Sequence, residues 1–92
     1  MEITKVDVHL METGSRLVGK AEVTLDDCFV VKDIRILKFD EGMKIAMPSR
    51  DYVVDGVKKH KDQAHPINQE TRDMFSAAIF KEYHNQLNSK EE

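Results

Sequence analysis

The sequence predicts an α+β fold: an antiparallel β-meander of four to five strands with one C-terminal α-helix packed on the sheet. Runs of period-two alternation follow one another between residues 3 and 47, as strands with one buried face do. Turn-forming residues separate these runs: Gly14, then Asp26 with Asp27, then a polar stretch at 38–42. Beyond Pro66 neither Gly nor Pro interrupts the chain, and apolar residues recur at intervals of three and four.

The first strand spans 3–10, with Thr4, Val6, Val8 and Leu10 on one face and Ile3, Lys5, Asp7 and His9 on the other. After the turn at 12–15 a second run sets Leu17, Gly19, Ala21, Val23 and Leu25 opposite Val18, Lys20, Glu22 and Thr24. Asp26 and Asp27 suit a tight hairpin, because Asp tolerates positive φ better than most residues with a side chain.

The passage LDDCFVVKDIRIL at 25–37 is the most strand-like in the chain. Its alternation is incomplete: Cys28, Val30, Ile34 and Ile36 fall on one face with Lys32, while Phe29, Val31 and Leu37 share the other with Asp33 and Arg35. Apolar residues on both faces predict a central strand covered on both sides. A fourth strand follows at Met43, Ile45 and Met47, and Pro48, which has no N–H to donate, stops it.

From 49 to 64 the chain reads as its least regular part, with a turn signal at Asp55 and Gly56 and a fifth short strand at 51–54 or 57–59. Asn68 then serves as helix N-cap, and Glu70 lies in the first turn, where the helix dipole favours negative charge. The helical stripe contains Phe75, Ala78, Ile79, Tyr83 and Leu87, widened by Met74 and Phe80. Residues 1–87 form a single domain and 88–92 a frayed tail.

Ninety-two residues are near the size at which one core becomes marginal, and a lone helix leaves a sheet face and an edge uncovered. A homodimer is therefore expected. The formal charge of −3 argues against indiscriminate binding of polyanions through net charge. One cysteine excludes an intramolecular disulfide and fits a reducing cytosol. Neither a secretory signal nor an apolar run long enough for a membrane span is legible, so a soluble cytoplasmic protein is expected.

Cys28 reads as a small apolar core residue rather than a nucleophile. His9, His60, His65 and His84 show no ligand-like spacing, so neither a metal nor another cofactor is expected. His65, just before Pro66, reads as a buried or half-buried orienter of the loop. A phosphate loop and a nucleophile elbow are both missing from the sequence, which points away from an enzyme. Asp33 and Arg35 read as a polar pair that fixes strand register or meets a second subunit; the alternative has Arg35 reaching a phosphate. Arg50, Lys58, Lys59, Lys61, Arg72 and Lys81 are either a solvated surface or a phosphate-contacting rim doubled by dimer symmetry.

Three segments in order, LDDCFVVKDIRIL, AMPSR and HPIN followed by Arg72 and the Glu82-Tyr83 pair, resemble the bacterial stage V sporulation protein G (septation protein SpoVG) family. The similarity runs from Met1 to about His84. It implies a small homodimeric antiparallel-sheet protein with a C-terminal helix. It also implies a DNA- and RNA-binding regulator of septation, cell division and sporulation; the alternative is a protein-interaction module in division or sporulation control, with division or regulatory proteins as partners and little intrinsic nucleic-acid binding. In that family the basic residues after AMPS and on the helix are implicated in binding nucleic acid, which carries over to Arg50 and Arg72. The position after Arg50, commonly basic in the family, is Asp51 here, and the loop to His65 is longer than usual. Lys58, Lys59 and Lys61 lie within that longer loop and would compensate.

Overall fold

A computed structural model of the chain describes residues 1–91, and the side chains through Ser89. The strands are β1 (Ile3–Leu10), β2 (Leu17–Leu25), β3 (Phe29–Phe39), β4 (Gly42–Ala46), β5 (Ser49–Val54) and β6 (Val57–Asp62), followed by the helix α1 (Gln69–Glu91). β1 to β4 form an antiparallel meander in sequence order, and β5 and β6 form a separate two-stranded sheet. The α+β prediction holds, with the fifth strand joined by a sixth.

The hairpin between β2 and β3 shows how local chemistry builds the meander. Asp26 and Asp27 take φ values of 50° and 53°, and the Cys28 N–H donates to the Leu25 carbonyl at 3.0 Å. Positive φ at both central residues is the backbone of a type I′ turn, whose twist matches that of the flanking strands. The start of the chain ties this turn down: the Glu2 N–H donates to Asp26 Oδ1 at 2.9 Å and the Asp27 N–H to Thr4 Oγ1 at 3.0 Å. Cys28 is consequently an exposed turn residue rather than part of the core. The next connection is tighter than its sequence suggests, because β3 runs on to Phe39, which pairs directly with Gly42.

β3 carries the main departure from simple alternation. Ala21 pairs with Ile34 and Val23 with Val31, so two steps on β2 face three on β3. Asp33 sits in this bulge with φ of 60°. One extra residue reverses the phase of a strand, which sets Val31 on the same side as Ile34 and Ile36 and leaves Val30 exposed. Val31, Ile34 and Ile36, of both parities, thus serve one buried face, and β3 is an interior strand covered on a single side.

That side meets α1, which packs on β1 and β2. Asn68 caps the helix, its Oδ1 accepting the Thr71 N–H at 2.8 Å. Phe75, Ile79 and Tyr83, spaced one turn apart, enter a core with Val8, Val23, Ile34, Ile36 and Met47. Met74, on the flank of the stripe, stays exposed. The stretch NSKE contains no helix breaker, and α1 continues through it to Glu91; Glu92 lies outside the described residues. Among the described residues no helix is long and apolar enough to cross a membrane.

Candidate functional site

The segment read as irregular is a hairpin arm. Its sequence is RDYVV, then Asp55-Gly56, then VKKHK, and the turn residues adopt φ values of 52° and 77°, again the type I′ pattern. Pairing runs from Ser49 with Asp62 at the base to Val54 with Val57 at the tip. The Gln63 N–H closes the base on the Pro48 carbonyl at 2.7 Å. The extensive contacts of β5 and β6 are with each other, so the arm projects from a molecule of 50 × 34 × 22 Å. Tyr52, Val53, Val54 and Val57 are 40, 70, 41 and 57% exposed, and a lone two-stranded hairpin is only marginally stable in water.

Directly paired residues share a face, and the register sorts the arm's charges. Arg50 opposite Lys61, Tyr52 opposite Lys59, and Val54 opposite Val57 make one face, on which the only aromatic ring lies between three cations. The other face has Ser49 opposite Asp62, Asp51 opposite His60, and Val53 opposite Lys58. There Asp51 is hydrogen-bonded to His60 Nδ1 and lies 3.2 Å from Lys58 Nζ. These two partners, His60 first, hold the Asp51 carboxylate below its ordinary pKa, against the opposing effect of desolvation. Arg50, Tyr52, Lys61, Asp62 and Gln63 line an open cleft of about 640 Å³ toward the base of the arm.

The predicted basic set is therefore divided. Arg50, Lys59 and Lys61 come together, whereas Lys58 turns to the opposite face and is engaged by Asp51. Arg72 stands half-buried on α1, whose extensive contacts are with β1 and β2 and not with the arm. His65 is exposed rather than buried, and its Nδ1 donates to the Pro66 carbonyl at 2.9 Å. Arg35 directs Nη2 to Ser49 Oγ at 3.2 Å, and among the described residues no ion pair joins it to Asp33, which the bulge displaces. Tyr52 is the site residue that the sequence reading misses. Its signal was the Asp-Gly turn flanked by alternating residues, which defines a hairpin and hence a register.

Comparison with known proteins places this architecture. The SpoVG family model matches residues 1–85. The chain belongs to the SpoVG family. Among its SpoVG relatives, a protein of Phytoplasma australiense is 43% identical over 89 residues, 97% of this chain and 90% of that one. One from Caldicellulosiruptor bescii is 45% identical over 83 residues, 90% of this chain and 91% of that one. A third, from Bacillus pumilus, is 41% identical over 92 residues, 100% of this chain and 90% of that one. Each bears the name "Putative septation protein SpoVG".

Proposed function

We propose that this chain acts in septation and sporulation control as a homodimeric regulator that binds DNA or RNA through the basic face of its arm. The role in septation rests on family membership and on the names of its relatives. The observation that carries the binding mode is the sorting of charge by register, with Arg50, Lys59 and Lys61 on one face around Tyr52 and Asp51 neutralised on the other. Cations holding a phosphate backbone beside an aromatic ring that accepts a base is a general solution for nucleic acid, single strands above all. It needs no positive net charge, which suits a chain of formal charge −3. Arg72, on α1, supplies a separate contact along the same strand. A second copy is the natural cover for an arm whose apolar tip is left in water.

The test is fluorescence anisotropy of labelled DNA and RNA with the Arg50→Ala, Lys61→Ala double variant, checked for folding by circular dichroism. Binding should collapse and its salt dependence flatten. Full binding by a folded double variant, or wild-type affinity indifferent to salt, sinks the proposal.

The exposed valines at the arm's tip favour a second reading, in which the arm docks a division or regulatory protein and binds little nucleic acid. Recovery of such proteins after nuclease treatment, together with no gel shift at low salt, would select it.

A further inference from the structure

The face of the meander opposite α1 carries a row of cations that the arm does not use. Register places His9 opposite Lys20 and Lys20 opposite Arg35, so three groups that carry or can carry positive charge lie side by side across β1, β2 and β3. All three point away from the core, because Val8, Ala21, Ile34 and Ile36 beside them are buried. Like charges directly opposed on neighbouring strands are destabilising. Among the described residues neither Lys20 nor Arg35 has a carboxylate partner in an ion pair to relieve that repulsion.

Lys20 and Arg35 line an open cleft of about 450 Å³ between the sheet and the root of the arm. Ser49 completes it, its hydroxyl accepting from Arg35 Nη2 at 3.2 Å, which holds the half-buried guanidinium in place. That bond occupies one of five N–H donors, and the remaining fork matches the geometry of a tetrahedral oxyanion. Two carboxylates also line the cleft. Asp51 is already engaged by Lys58 and His60, and Asp33 forms no ion pair with either cation. The two cations outnumber the one remaining acid.

We infer that this cleft is a phosphate-binding site, in which Arg35 and Lys20 hold one phosphate group and Ser49 orients Arg35. It stands on the sheet and is independent of the arm's basic face. The phosphate comes either from a nucleic-acid backbone or from a free phosphate monoester, which present the same chemistry to the cleft.

The experiment is an amide NMR titration of the full chain with inorganic phosphate, with adenosine 5′-monophosphate and with a short DNA duplex. Saturable shifts are expected at Lys20, Arg35 and Ser49. Arg35→Gln and Lys20→Gln should each weaken phosphate binding by about tenfold, as removing one charge-assisted hydrogen bond does. Lys20 is exposed, so its variant tests the site even if Arg35→Gln disturbs the sheet. Duplex binding that weakens in Lys20→Gln identifies the backbone as the source; duplex binding unchanged while the monophosphate weakens identifies a free ester; both uphold the cleft. Absence of saturable shifts with all three probes, or equal phosphate binding by wild type and Lys20→Gln, overturns it. Failure of the arm variants to alter nucleic-acid binding, with the phosphate shifts intact, would sink the arm reading alone.

Discussion

Lys58 and Lys61 lie three residues apart, yet the register sets them on opposite faces of the arm, so exchanging each for Gln should have different consequences. Each phosphate neutralised on duplex DNA contributes about 0.9 to the slope of log affinity against log salt. Arg50, Lys59 and Lys61 on one face thus supply a slope of roughly 2.7 per arm engaged. Between 50 and 200 mM salt that corresponds to a loss of roughly fortyfold per arm. Lys61→Gln should lower the slope by about 0.9 and reduce the loss to roughly twelvefold. Lys58→Gln should leave the slope at its wild-type value, because Lys58 faces away and is engaged by Asp51 at 3.2 Å. Fluorescence anisotropy over a salt series reads both. Equal slope changes for the two variants, or none for Lys61→Gln, would refute the assignment of faces.

Tyr52→Ala should weaken binding of single-stranded DNA or RNA by about 1–3 kcal/mol, the worth of one stacked base, and affect duplex binding less; anisotropy with matched single and double strands compares them. Asn68→Ala removes the acceptor of the Thr71 N–H and should cost about 1 kcal/mol of stability in urea unfolding. Asp51 has a lowered pKa in the folded arm, so the stability it contributes is present above its ordinary value of 3.8 and is lost as pH falls through the lowered one. Amide NMR should show the arm loosening in that acid range, and Asp51→Asn should abolish this transition while leaving the meander unaffected.

Much of the meander was legible because its cues are local. Gly14, the Asp26-Asp27 pair and Pro48 each act through backbone preference at their own position, and Asn68 caps a helix through a bond to a residue three further on. The candidate site was legible as composition and as one turn signal, Asp55-Gly56. Arg50, Lys59 and Lys61 were visible as basic residues in a segment without evident order, but a face exists only once a partner strand sets the register. The same limit misplaced Cys28 and Val30: a turn of three residues and a bulge at Asp33 each change strand phase, and both depend on the neighbouring strand.

The sequence by itself determined the fold class, the order of the first four strands, the capped helix and the family, since alternation, turn chemistry and capping act over a few residues. Only the tertiary structure decided that residues 49–62 form a projecting arm, that Arg50, Lys59 and Lys61 take one face of it while Asp51 and Asp62 share the other with Lys58 and His60, and that Lys20 and Arg35 meet across β2 and β3. The physical reason is that hydrogen-bonded strands bring together residues distant in the chain, and one extra residue in a strand exchanges its faces.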